Sequence, residues 1–82
     1  MKIKYFSWLK EITKTDFEEI NEKSIKDIDS LIIFLCIKYP KLKKYFIEDK
    51  IIRIAINLTY HHSNKKISSN DEIAFFPPVS GG

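Results

Sequence analysis

The last eight residues of this 82-residue sequence are Phe75-Phe76-Pro77-Pro78-Val79-Ser80-Gly81-Gly82, and none carries a charged side chain. Their one ionised group is the terminal carboxylate of Gly82, so the chain's end is itself the candidate reacting group. The sequence contains two glycines in all, Gly81 and Gly82, although glycine ordinarily serves internal turns and helix ends. A carboxylate is a poor electrophile because resonance spreads its charge over two oxygens. Conversion to a mixed anhydride with AMP would let a nucleophile replace one of those oxygens. Without a Cβ, Gly81 and Gly82 leave the reacting carbon unhindered and can thread a narrow channel. Pro77 and Pro78 hold the exit extended and remove two backbone donors. Five residues from Pro78 to Gly82 reach roughly 16–18 Å, enough to enter another protein's cleft. Composition alone leaves a second reading open, since glycine is also ordinary at a frayed terminus.

No other constellation carries chemistry of its own. Cys36 falls in an apolar helical stripe, where a small buried hydrophobe is expected rather than a sulfur relay. His61 and His62 are neighbours on an extended segment and point to opposite faces, with no third ligand near them, so no metal site is expected. Lys41, Lys43 and Lys44 beside Tyr45 and Phe46 are followed at once by Glu48 and Asp49, which reads as a solvated face rather than an RNA contact. Arg53 interrupts an apolar strand and is suited to a partner's carboxylate. Ser–His–Asp, Cys–His and paired-carboxylate arrangements are missing. The expected role is therefore a group carrier, not an enzyme on its own.

The elements that must present the tail follow from periodicity. An apolar share of 44% supports one small core. The net charge of +3, with eleven acids interspersed among fourteen bases, argues against nucleic acid as a partner. A single cysteine excludes an internal disulfide framework. The longest apolar run, Leu31 to Ile37, is far short of the ~20 residues of a membrane span, and no leader pattern opens the chain; a cytoplasmic setting without membrane association is expected. Lys2 to Trp8 alternates as a strand, Leu9–Ile12 reads as a helical turn, and Phe17–Ile20 reads as a second strand. Ser24-Ile25-Lys26-Asp27 has the hydroxyl-to-carboxylate spacing of a capping box. The stripe Ile25, Ile28, Leu31, Ile32, Leu35, Cys36 and Tyr39 marks the main helix, which Pro40 ends; Ile33, Phe34 and Ile37 predict burial over most of its girth. Lys41–Ile47 is expected to cover the core with Leu42, Tyr45 and Phe46. Ile51–Ile56, Thr59–His62 and Asp71–Phe76 are strands, with Asn57 in a turn whose left-handed angles it tolerates. A hairpin, a helix and returning strands give an α+β fold with one main helix across a mixed sheet of about five strands. Residues 1–76 form the domain and 77–82 an extended tail.

The string Asp71-Glu72-Ile73-Ala74-Phe75-Phe76-Pro77-Pro78-Val79-Ser80-Gly81-Gly82 resembles the C-terminus of the small subunit of molybdopterin synthase. Phe6 to Glu11 and Ile54-Ala55-Ile56-Asn57 resemble that family's first strand and turn and one of its later strand ends. The resemblance spans the chain in length and element order, and its specific part is the last twelve residues. It implies a β-grasp, ubiquitin-like fold and a sulfur-carrier role. By that resemblance Gly82 is adenylated by an ATP-dependent activating enzyme and converted to a thiocarboxylate, and Gly81 supplies the slim approach. Phe75, Pro77 and Val79 would line the docking contact with the large catalytic subunit. The resemblance further implies a heterotetramer of two small and two large subunits, with no permanently bound cofactor and sulfur carried on the tail. A ubiquitin-like protein modifier and a thiamine-pathway sulfur carrier are the alternatives; the Phe-Phe-Pro-Pro string argues against the second. The chain departs from the family in Lys10, where an arginine is frequent before the glutamate, and in Asn70, where a glycine often precedes the Asp-Glu pair.

Overall fold

The computed structural model describes residues 1–78. Alternation builds β1, Lys2–Tyr5, with Ile3 and Tyr5 buried and Lys2 exposed. The strand stops short of the expected Trp8 because Ser7 turns the chain at a φ of 56°. A short helix, α1, follows at Leu9–Thr13 and buries Leu9 completely. Lys14 closes α1 in the left-handed conformation, and its N–H donates to the Lys10 carbonyl. The chain returns as β2, Phe17–Glu19, antiparallel to β1.

The main helix, α2, spans Ile28–Lys38 and begins later than the Ser24–Asp27 spacing suggested. Asp27 is the cap: its Oδ1 accepts from the Ser30 N–H at 2.8 Å, and Ser30 Oγ accepts from the Asp27 N–H at 3.1 Å. The delay has a tertiary cause. Ile28 N–H donates to the Lys65 carbonyl and Ile67 N–H to the Lys26 carbonyl, both at 3.0 Å, so residues 26–28 run extended against a distant segment. Leu31 and Leu35 face the core with no exposure, whereas Ile33 and Ile37 are 57% and 77% exposed. The expected burial around most of the helix is therefore not met. One sheet covers one side of α2, and a residue two positions beyond Leu31 or Leu35 lies roughly 200° around the helix. After Pro40, Leu42 is fully buried and a single π-helical turn at Lys44–Glu48 brings Phe46 onto the core, as the lid expected there.

The remaining strands are β3 (Arg53–Ile56), β4 (Thr59–His61) and β5 (Glu72–Phe76), giving the sheet order β2-β1-β5-β3-β4. β1 and β5 are parallel, and the other pairs are antiparallel. Ile3, Tyr5, Ile73 and Phe75 from the sheet meet Leu31 and Leu35 from α2 in one core. Each such burial contributes about 1.5–3 kcal/mol. A polar latch ties the layers together at the β2 edge. Tyr5 Oη and Tyr39 Oη donate to Glu18 Oε2 at 2.7 and 2.6 Å, and Lys38 donates to Oε1. One helix laid across one face of a mixed five-stranded sheet is the α+β architecture expected from the element order.

Candidate functional site

The pairing of β1 with β5 decides what surrounds the exit of the chain at Pro77 and Pro78. Tyr5 lies opposite Phe75, and both point into the core. Their neighbours Phe6 and Phe76 therefore turn to the other face, where no helix lies among the described residues, and stack with ring centroids 4.5 Å apart and planes 14° from parallel. Tyr60 on β4 joins them, its ring 5.8 Å from that of Phe76. Ala55 and Ala74, cross-strand partners on β3 and β5, form a small-residue floor between these rings. A shallow cavity of about 210 Å³ opens over Ala55, Ala74, Leu58 and Tyr60.

Leu58 is the most exposed large apolar side chain on this face, at 89%. It occupies the β3–β4 turn with a φ of 72°, beside Asn57 at 49°. A pair of positive φ values is what a two-residue hairpin turn requires, and the second position normally takes glycine. Asn57 is pinned there: its Nδ2 donates to Asp71 Oδ1 and its Oδ1 accepts from the Glu72 N–H, both at 2.9 Å. Leucine tolerates this conformation at a cost of roughly 1 kcal/mol or more, and strain of this kind concentrates at functional sites. Its side chain repays nothing to the fold.

The chain leaves this face at Pro77 and Pro78, beyond the last strand. A second cavity of about 530 Å³ lies at that root, lined by Phe6, Trp8, Arg53, Tyr60 and both prolines. Arg53, the chain's only arginine, sits opposite Phe76 on β3. Among the described residues it enters no ion pair, whereas Lys4 is held by Glu72 at 2.9 Å.

The residues expected to dock a partner divide differently from the expectation. Phe75 has no exposed surface and packs edge-on against Phe46; it belongs to the core and cannot line a docking contact. Its neighbour Phe76 is half-buried on the open face, because adjacent residues of a strand face opposite sides. Pro77 is buried at the strand's end. Val79, Gly81 and Gly82 lie outside the described residues. Nothing in the sequence marks Phe6, Leu58 and Tyr60 as members of this face; the alternation that buries Ile73 is the available signal for Phe76. Cys36 is half-buried, and burial pushes its thiol up, with Lys43 opposing weakly; it is a packing residue and not an activated nucleophile. His61 is half-buried and His62 exposed. Among the described residues no cluster of three His, Cys, Asp or Glu side chains exists that would hold a metal ion, and no helix is long and apolar enough to cross a membrane.

This sheet order, with one covered and one open apolar face, defines a ubiquitin-like β-grasp protein. The chain belongs to the ThiS family, whose model matches residues 3–82. It is 28% identical over its whole length to the molybdopterin synthase sulfur carrier subunit of Mycobacterium tuberculosis, covering 96% of that protein. Among solved structures it is similar to SAMP1 from Haloferax volcanii, with a TM-score of 0.82, 25% identity, and 100% and 98% of the two chains covered. It is also similar to the molybdopterin converting factor subunit 1 of Pyrococcus furiosus, with a TM-score of 0.79, 28% identity and 95% of each chain covered. The chain is thus a ubiquitin-like protein of the sulfur-carrier kind and a homologue of the small subunit of molybdopterin synthase.

Proposed function

We propose that this chain carries sulfur as a thiocarboxylate on Gly82 and delivers it within molybdopterin synthase. The observation that carries the reading is the placement of the tail. β5 ends at Phe76, and the chain continues through two prolines toward Gly81-Gly82 from the edge of an exposed aromatic face. That face, Phe6, Leu58, Tyr60 and Phe76, supplies the address, and the tail supplies the reacting carbon.

In this reading a Gly82 carboxylate oxygen attacks the α-phosphorus of ATP on the activating enzyme, and pyrophosphate leaves. Sulfur at the sulfide oxidation level then adds to the acyl carbon, and AMP departs with the bonding pair. The open face next docks on the large subunit, whose pterin substrate accepts the sulfur, and water returns Gly82 to a carboxylate. A dithiolene holds two sulfurs, so two loaded carriers serve each product, in keeping with two small and two large subunits. The carrier itself turns nothing over and needs no bound cofactor.

Intact-mass analysis after co-production with the activating enzyme tests the reading. One oxygen should be replaced by sulfur, mapped to the C-terminal peptide, and removal of Gly82 should abolish sulfur transfer while the domain stays folded. Exchange mapped to Cys36 would refute it. Likeness to SAMP1 supports a second reading, conjugation of Gly82 to lysines as a protein modifier, because the same acyl-adenylate serves both. Isopeptide-linked adducts that depend on Gly82 would select that second reading.

A further inference from the structure

Another cavity shares Arg53 with the hollow beside Pro77 and Pro78 and Tyr60 with the aromatic face, and its other walls lie apart from both. About 720 Å³ in volume, it runs between β4 and the first half of α2. Ile28, Ile32, Phe46, Ile52 and Ile54 make its floor, and Lys50, Arg53, His61 and His62 stand on its rim with one carboxylate, Asp29. Neither Lys50 nor Arg53 enters an ion pair among the described residues. Ile32, Ile52 and Ile54 remain half-exposed although they pack on the core.

The strand bordering this groove is open. β4 stands last in the sheet, and no strand lies beyond it among the described residues. Thr59 and His61 are registered against Ile56 and Ile54 across the two-residue turn, so the backbone groups of Tyr60 between them face away from β3. Sheet edges are commonly guarded by charges or prolines. β2, at the opposite edge, carries Glu18 and Glu19, whereas Thr59, Tyr60 and His61 include no carboxylate, lysine, arginine or proline.

We propose that this groove docks an extended acidic segment of a partner protein. The segment pairs its backbone with β4, lays apolar side chains over Ile32 and Ile54, and sets carboxylates against Lys50 and Arg53. Charge complementarity selects the occupant: the rim holds two cations that enter no ion pair among the described residues and one carboxylate, and the guanidinium fork suits a carboxylate in particular. Added strands with alternate side chains in pockets are an established way of recognising peptides. Lys50, Ile32 and Ile54 stand outside the aromatic face, so binding there can be read without Gly82 or sulfur transfer.

Amide-resolved titration of the isotope-labelled full chain tests this with two short capped peptides of valines and isoleucines, one flanked by glutamates and one by lysines. The glutamate peptide should move the resonances of Ile32, Lys50, Ile54 and His61, and the lysine peptide should not. Lys50→Glu, a substitution remote from the aromatic face, should weaken the glutamate peptide about tenfold, or roughly 1.4 kcal/mol, with unchanged melting. Equal response to both peptides, no response to either, or shifts confined to Phe6, Leu58 and Phe76 would each overturn the proposal. So would concentration-dependent self-association of the free chain through β4, which would make a second copy the occupant.

Discussion

Phe6 and Phe76 stack ring on ring across the parallel pair β1–β5, one residue beyond the pairing of Tyr5 with Phe75. The offset of one residue separates two duties. Tyr5 and Phe75 also stack, with centroids 6.2 Å apart, but inside the core. The same dipeptide step thus hands one aromatic to stability and the next to the surface.

Substituting the two neighbours should therefore give opposite results. Phe75→Ala removes a fully buried ring and should cost about 3–5 kcal/mol, seen as a large fall in melting temperature. Phe76→Ala should lower stability by roughly 0.5–1.5 kcal/mol through the lost stack and weaken binding to the large subunit by calorimetry. Equal effects of the two on binding, measured below their melting temperatures, would contradict the assignment.

Leu58 should behave as a residue retained for contact. Leu58→Gly relieves a left-handed φ of 72° and removes a side chain that is 89% exposed. The unfolding free energy from urea titration should hold or rise by up to about 1 kcal/mol, the range set by relieved strain against the entropy of a glycine. Capture of the large subunit by the variant should fall.

Asp27 caps α2 and Ser24 does not. Asp27→Ala should cost about 1 kcal/mol, whereas Ser24→Ala should leave the melting curve in place. A matching loss at Ser24 would show that the helix begins earlier.

The Glu18 latch predicts how stability responds to acid. Burial pushes the Glu18 carboxyl up, but hydrogen bonds from Lys38, Tyr39 and Tyr5 together outweigh it and hold the carboxyl below its ordinary value. A carboxylate favoured in the folded state adds stability above the unfolded pKa of roughly 4.3 and loses it as pH falls through the lower folded value. Denaturation midpoints of the wild type should thus drop below about pH 4.3, and Glu18→Gln should flatten that part of the profile.

Much of this molecule was determined by local chemistry alone. Alternation and three-four spacing mark each strand and the main helix, Asn57 announces its left-handed turn, and the uncharged string ending in Gly81-Gly82 marks the end proposed to react. These signals are short-range, so they survive without knowledge of what packs on what. Tertiary structure decided the rest. Whether Phe75 or Phe76 faces outward depends on the register between β1 and β5, and a slip of one residue exchanges them. The start of α2 depends on residues 65–67 holding Lys26 and Ile28 extended from far along the chain. Ile33 and Ile37 stay exposed because one sheet covers one side of α2. Faces and edges belong to pairs of elements, and no single segment of sequence contains both partners.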